Sequence, residues 1–217
     1  MSLTLGVLAS GSGSNLQSIL DACATGRLDA RVAVVISDNV DAFALQRGRS
    51  AGAAAEVVEF TASPSREAHD ERVVEALRRH GVDTVVLAGY MKLVTPVLLD
   101  AFPGRVVNIH PALLPAFPGV HVHGDVIAHG VKFSGCTVHF VDAGMDTGPI
   151  IIQAVVPVRD DDTPDTLASR VLREEHRIFP QALQYLAEGR LHVAGRRVLL
   201  QPPSPASGTL HNPTVSS

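Results

Sequence analysis

Leu3-Thr4-Leu5-Gly6-Val7-Leu8-Ala9-Ser10-Gly11-Ser12-Gly13-Ser14-Asn15 decides the fold. Its first seven residues are a short apolar run, its middle is a glycine-rich turn, and a helical pattern follows over residues 14–24. A strand that passes through such a turn into a helix opens a strand–helix–strand unit. The unit then repeats. Residues 32–36 form a continuous apolar run rich in Val and Ile, too short for a helix and suited to a strand buried on both faces. A helix over 42–51 ends at Gly52, a natural residue to follow a helix end, and a third strand is expected at about 56–60. Ser63-Pro64 predicts the next helix entry, a capping hydroxyl followed by proline at the first helical position. That helix carries Val73, Val74 and Leu77 on one side and stops near Gly81. Strands at 84–88 and 106–109 flank a helical crossover at 96–102.

The second half changes character. Residues 111–122 hold three prolines and predict an ordered loop, not a helix. Apolar runs at 136–141 and 150–156 are joined by the Asp- and Gly-rich stretch 142–149, as in a long hairpin. Thr163-Pro164-Asp165 opens the longest helix, to about residue 188, with Pro180 expected to bend it. Residues 190–200 predict a small hairpin around Gly195, and 201–217 a flexible Pro/Ser-rich tail. No internal repeat is present. The expected fold is α/β: a doubly wound, mostly parallel sheet with helices on both faces and an antiparallel addition in the C-terminal half.

Composition narrows the function. The chain has 217 residues, 46% of them hydrophobic and 18% charged, which favours one domain. The net charge of −4, the absence of Trp and only 4% aromatic residues argue against a nucleic-acid partner. No apolar stretch reaches bilayer length. The first basic residue is Arg27, so no charged segment precedes the leading apolar run, and a cytoplasmic location is expected. Cys23 and Cys136 make no disulfide framework and are expected to be small buried hydrophobes.

Three places can carry chemistry. The turn Gly11-Ser12-Gly13-Ser14-Asn15 lacks the Lys of an ATP-binding loop, and Leu16 stands where a dinucleotide fingerprint has its third glycine. What remains is either a capped tight turn or a site for one phosphate monoester, held by backbone dipoles without a basic patch. Asn108-Ile109-His110-Pro111 ends a strand. Residues two apart on a strand share a face, so Asn108 and His110 present a carboxamide beside an imidazole, suited to an oxyanion or to a structural hydrogen-bonded pair. Asp146, in the 142–149 connection, is a turn residue or a carboxylate that orients His110. Ten histidines raise a metal site, but His121-Val122-His123 with His110 and His139 meets no metal-ligand spacing, and no metal is expected. His121 and His123 are expected on a mobile loop or exposed. No Gly-x-Ser-x-Gly elbow and no placed cysteine nucleophile are found.

The blocks Leu8-Ala9-Ser10-Gly11-Ser12-Gly13-Ser14-Asn15, Leu87-Ala88-Gly89-Tyr90-Met91-Lys92, Asn108-Ile109-His110-Pro111-Ala112-Leu113-Leu114-Pro115, Asp142-Ala143-Gly144-Met145-Asp146-Thr147-Gly148-Pro149 and Glu174-Glu175-His176 resemble the glycinamide ribonucleotide formyltransferases of the folate-dependent formyltransferase family. The match runs from about residue 3 to 200. It implies transfer of a formyl group from 10-formyltetrahydrofolate, a co-substrate, to the amine of glycinamide ribonucleotide in purine synthesis. It also implies roles. Asn108, His110 and Asp146 would be catalytic. Gly13, Ser14, Asn15 and Glu175 would hold the ribonucleotide. Arg66, Met91, Lys92, Leu93, Val94, Asn108, Asp142, Ala143, Gly144, Met145 and Asp146 would line the folate pocket. Residues 1–105 would form the phosphate half and 106–200 the catalytic and folate half of one domain, monomeric or homodimeric. Ser12 and Lys92 stand where the family also uses asparagine and arginine. A hydrolytic relative that releases formate and a tRNA-modifying relative share the catalytic block. The length and charge are expected to separate this chain from both, leaving a non-catalytic nucleotide-binding module as the rival of another class.

Overall fold

The computed structural model describes residues 2–203. Residue 1 and most of the expected tail, 204–217, lie outside the described residues. Nine strands form one sheet in the order β3-β2-β1-β4-β5-β6-β7-β9-β8. Strands β1 (Leu3–Leu8), β2 (Ala30–Ser37), β3 (Ala54–Val57), β4 (Thr84–Leu87) and β5 (Val106–His110) pair in parallel. β6 (Phe133–Phe140) and β7 (Ile150–Pro157) add antiparallel, and the terminal hairpin β8 (Leu191–Ala194) and β9 (Arg197–Leu200) closes that edge. The chain leaves β1 toward β2 on one side and returns to β4 on the other. The loops after β1 and β4 therefore flank the crevice where doubly wound sheets bind ligands.

Alternation along the strands sorts the core into two layers. Val7, Val35, Val86, Val107 and Ile109 pack on one face, against Leu16, Ile19 and Leu20 of α1 (Ser14–Ala24) and Leu167, Val171, Phe179 and Leu183 of α6 (Pro164–Ala187). Their neighbours Leu8, Val34, Ile36, Val85, Leu87 and Val106 pack on the other, against Val73, Val74 and Leu77 of α3 (Arg66–Arg79) and Leu98 of α4 (Pro96–Ala101). This is the period of two expected of strands buried on both faces.

Several boundaries depart from expectation. The third strand begins earlier, at Ala54, and residues 60–62 form a 3₁₀ turn. Two alanines of low strand propensity hid its start. Phe60 leaves the sheet to pack on His69, ring centroids 5.1 Å apart, with Lys92 Nζ 4.8 Å from its ring centre. The cap of α3 is Ser65, which accepts from the Ala68 amide at 3.1 Å, while Ser63 accepts from Arg72. Residues 122–128, expected as the end of a loop and beyond, form a short helix, α5 (Val122–Ala128). Its β-branched residues and Gly124 are poor helix formers, and burial of Val122 and Val126 supplies the stabilisation instead. Gly52 and Gly81 follow the ends of α2 (Phe43–Ser50) and α3 at positive φ, as read from the sequence. Thr163 caps α6 through a reciprocal box with Thr166, and Pro180 lies buried inside that helix.

Candidate active site

The β1–α1 turn carries the first half of the site. Gly13 caps α1 at φ 68°, and a Cβ there would lie 2.8 Å from the backbone of Ala44 in α2, so only glycine fits. Among the described residues the amides of 11–16 find no backbone acceptor, the arrangement that receives an anion. Asn15 is buried, and its Nδ2 donates to Glu175 Oε2 at 2.6 Å, while its Oδ1 has no partner. Glu175 interrupts the apolar stripe Leu167, Val171, Phe179, Leu183 of α6, a carboxylate where the helix otherwise buries hydrocarbon. Burial pushes its carboxyl above the usual range, offset in part by the Asn15 bond.

The second half stands on the face of β5. Asn108 and His110 share one side of the strand, as the spacing requires. The 142–149 connection folds back over that side, and Asp146, at φ 55°, reaches it. Asp146 Oδ2 lies 3.4 Å from His110 Nδ1 and accepts the Gly119 amide at 3.0 Å. His110 Nε2 lies 2.9 Å from the Phe117 carbonyl, so both ring nitrogens face acceptors, an arrangement that an imidazolium satisfies. Phe117 holds that carbonyl from a positive φ of 53°, a conformation that costs about 1–3 kcal/mol outside glycine.

Sequence reasoning considered His139 only as a metal ligand, yet it stands directly across the ladder from Asn108. Burial pushes its imidazole below the ordinary range, so the neutral form prevails. Nδ1 sits 2.9 Å from the Phe140 carbonyl and must carry the proton, which leaves Nε2 to accept from Asn108 Nδ2 at 3.1 Å. That bond fixes which way the carboxamide faces and leaves its second N–H free. The signal was cross-strand register, which a sequence does not display. His123 lies in the first turn of α5 with Nδ1 buried and unpartnered, and burial together with His110 lowers its pKa; it is not exposed, as it could have been. His121 caps α5 and is exposed.

The remaining expected residues divide. Met91 and Leu93 after β4, Val120 after β5, and Met145 in the fold-back loop are exposed large hydrophobics, four of the nine in the described chain. Large apolar side chains left exposed on loops suit contact with an apolar ligand. Val94 is half-buried beside them. Asp142 spends its carboxylate inside the loop, on the Gly144 amide and the Thr147 hydroxyl, and Ala143 and Gly144 are exposed. Lys92 is engaged with Asp38 at 3.3 Å. Arg66 opens α3, exposed, one turn before His69, whose Nε2 lies 2.7 Å from the Tyr90 hydroxyl. The β1–α1 turn is tied to the loop after β4, where Ser10 donates its amide to Gly89 and accepts the Met91 amide on its hydroxyl. Cys136 is buried, its thiol pushed up to about 12, and Cys23 is half-buried. Among the described residues no three metal-ligating side chains converge as a metal site, and no helix is long and apolar enough to cross a membrane.

Residues 4–183 match the formyl transferase family. A Mycobacterium tuberculosis protein named phosphoribosylglycinamide formyltransferase is 46% identical over 190 residues, covering 88% of this chain and 87% of its own. The crystal structure of glycinamide ribonucleotide transformylase 1 from Symbiobacterium toebii superposes with a TM-score of 0.90 at 56% identity, covering 91% of this chain and 93% of that one. A formyltetrahydrofolate deformylase from Pseudomonas syringae shares the fold at 28% identity and a TM-score of 0.82, covering 92% of this chain and 66% of that one.

Proposed function

The chain belongs to the formyl transferase family, and we propose that it moves the formyl group of 10-formyltetrahydrofolate to the amine of glycinamide ribonucleotide, a step of purine biosynthesis. The observations that carry this reading are the amide-lined turn after β1 and the Asn108, His110, Asp146 constellation on β5, two strands away in the same sheet. The turn at Gly13, Ser14 and Asn15 takes the substrate phosphate, and Glu175 supports it from α6. The exposed apolar side chains of Met91, Leu93 and Met145 receive the folate, with Val94, Lys92, Arg66 and the 142–146 segment around it.

The chemistry follows from the donors. The neutral substrate amine attacks the formyl carbon, and the carbonyl oxygen becomes negative in a tetrahedral intermediate. Asn108 donates the N–H that His139 leaves free. His110 Nε2, which here faces the Phe117 carbonyl, exchanges that acceptor for the developing oxyanion. Asp146, facing Nδ1, orients the ring. The amine proton passes to the folate nitrogen as the C–N bond to folate breaks. Water delivered in place of the amine would give formate, the hydrolytic alternative. Incubation with 10-formyltetrahydrofolate, with and without glycinamide ribonucleotide, separates the two. Formylated ribonucleotide as the product supports the transferase, and formate release indifferent to the ribonucleotide overturns it.

A further inference from the structure

Beside the β1–α1 turn stands an arginine that belongs to no sequence motif. Arg47 of α2 is half-buried. Its Nε donates to the Ser12 carbonyl at 2.9 Å, its Nη1 donates to Gln17 Oε1 at 2.8 Å, and its guanidinium lies 4.8 Å from the centre of the Phe43 ring. These contacts hold the side chain in one pose without a ligand. They occupy two of the five guanidinium donors and leave three. Among the described residues no carboxylate forms an ion pair with it. Asp21, the acid of the same region, is taken by Gln17 Nε2 at 2.8 Å.

A cavity of about 350 Å³ opens at this point, lined by Ser14, Gln17, Arg47 and His176 among others. On its wall, the buried His176 Nε2 lacks a partner among the described residues. Pinning a half-buried cation with no counter-charge is unfavourable unless an anion arrives. A planar, pre-positioned guanidinium suits phosphate, whose oxygens it meets in pairs. We propose that Arg47 recognises the phosphate of the ribonucleotide substrate, adding the net charge that the backbone amides of the turn do not carry. The inference rests on the transferase reading. It makes Arg47 a specificity residue that separates the phosphorylated substrate from its riboside.

The test compares glycinamide ribonucleotide with the dephosphorylated riboside at saturating 10-formyltetrahydrofolate. In Arg47→Ala, kcat/KM for the ribonucleotide should fall about 10–100-fold, through KM, while the riboside stays within about twofold of wild type. Arg47→Lys should lie between, and competitive inhibition by inorganic phosphate should weaken in parallel. An equal loss on both substrates overturns the proposal, because Arg47 then only braces Ser12 and Gln17; so does no loss on either. Should Arg47→Ala fail to fold, Arg47→Gln keeps a donor for Ser12 and carries the same comparison. If wild type shows no ribonucleotide turnover, the transferase reading fails by itself. Calorimetric titration with inorganic phosphate, wild type against Arg47→Gln, then still decides whether Arg47 binds the anion.

Discussion

The turn after β1 and the reacting face of β5 use different materials. The turn is backbone: free amides, a glycine that nothing larger can replace, and a helix start. The face is side chains, each held by another: Asn108 by His139, His110 by Asp146 and Phe117, Asp146 by Gly119. A backbone site tolerates exchange of side chains that point away and fails when its conformation is disturbed. A side-chain site fails at any single member. On the proposed function, the turn binds the ribonucleotide and the face makes the bond.

The largest expected effect belongs to the face. Asn108→Ala and His110→Ala should each lower kcat about 10²–10³-fold with little change in KM for the ribonucleotide, read by steady-state kinetics; turnover near wild type would break the division of labour. Gly13→Ala should act the other way. Its left-handed φ costs roughly 1–2 kcal/mol and its methyl meets Ala44, so KM for the ribonucleotide should rise about tenfold while KM for formylfolate holds.

Two carboxyls then contrast in pH. Glu175, raised by burial, holds its proton longer folded than unfolded, so its contribution weakens as pH rises through and above its ordinary 4.5. Thermal unfolding of Glu175→Gln should gain on wild type as pH increases from about 5 to 8. Asp162 is held well below the usual carboxylate range, chiefly by hydrogen bonds from Arg170 at 2.6 and 2.8 Å. Its stabilisation is present above its ordinary 3.8 and lost as pH falls below, so Asp162→Asn should differ from wild type least in acid. The same sign for both variants would refute the assignment. Ser12→Asn should change neither KM nor kcat beyond about twofold, because the turn binds through amides.

What was legible in the sequence follows the same line. The turn, the strand alternation and the Asn108–His110 pair are local patterns, and the structure repeats them. His139 required the antiparallel register of β5 and β6. The contacts of Arg47 with Ser12 and Gln17 required knowing that α2 packs beside α1. Glu175 is different: a carboxylate at four-residue spacing inside an apolar helical stripe is visible to inspection, though only its resemblance to the family gave it a role. Ser65 displaced Ser63 as a cap, because two plausible hydroxyls flank Pro64 and packing, not propensity, chooses between them.

The division of labour between turn and face is tested most directly by calorimetric binding of glycinamide ribonucleotide to His110→Ala. An affinity within about twofold of wild type, in a variant whose turnover has dropped about 10²-fold or more, is the predicted result. An affinity that falls in step with turnover would contradict it.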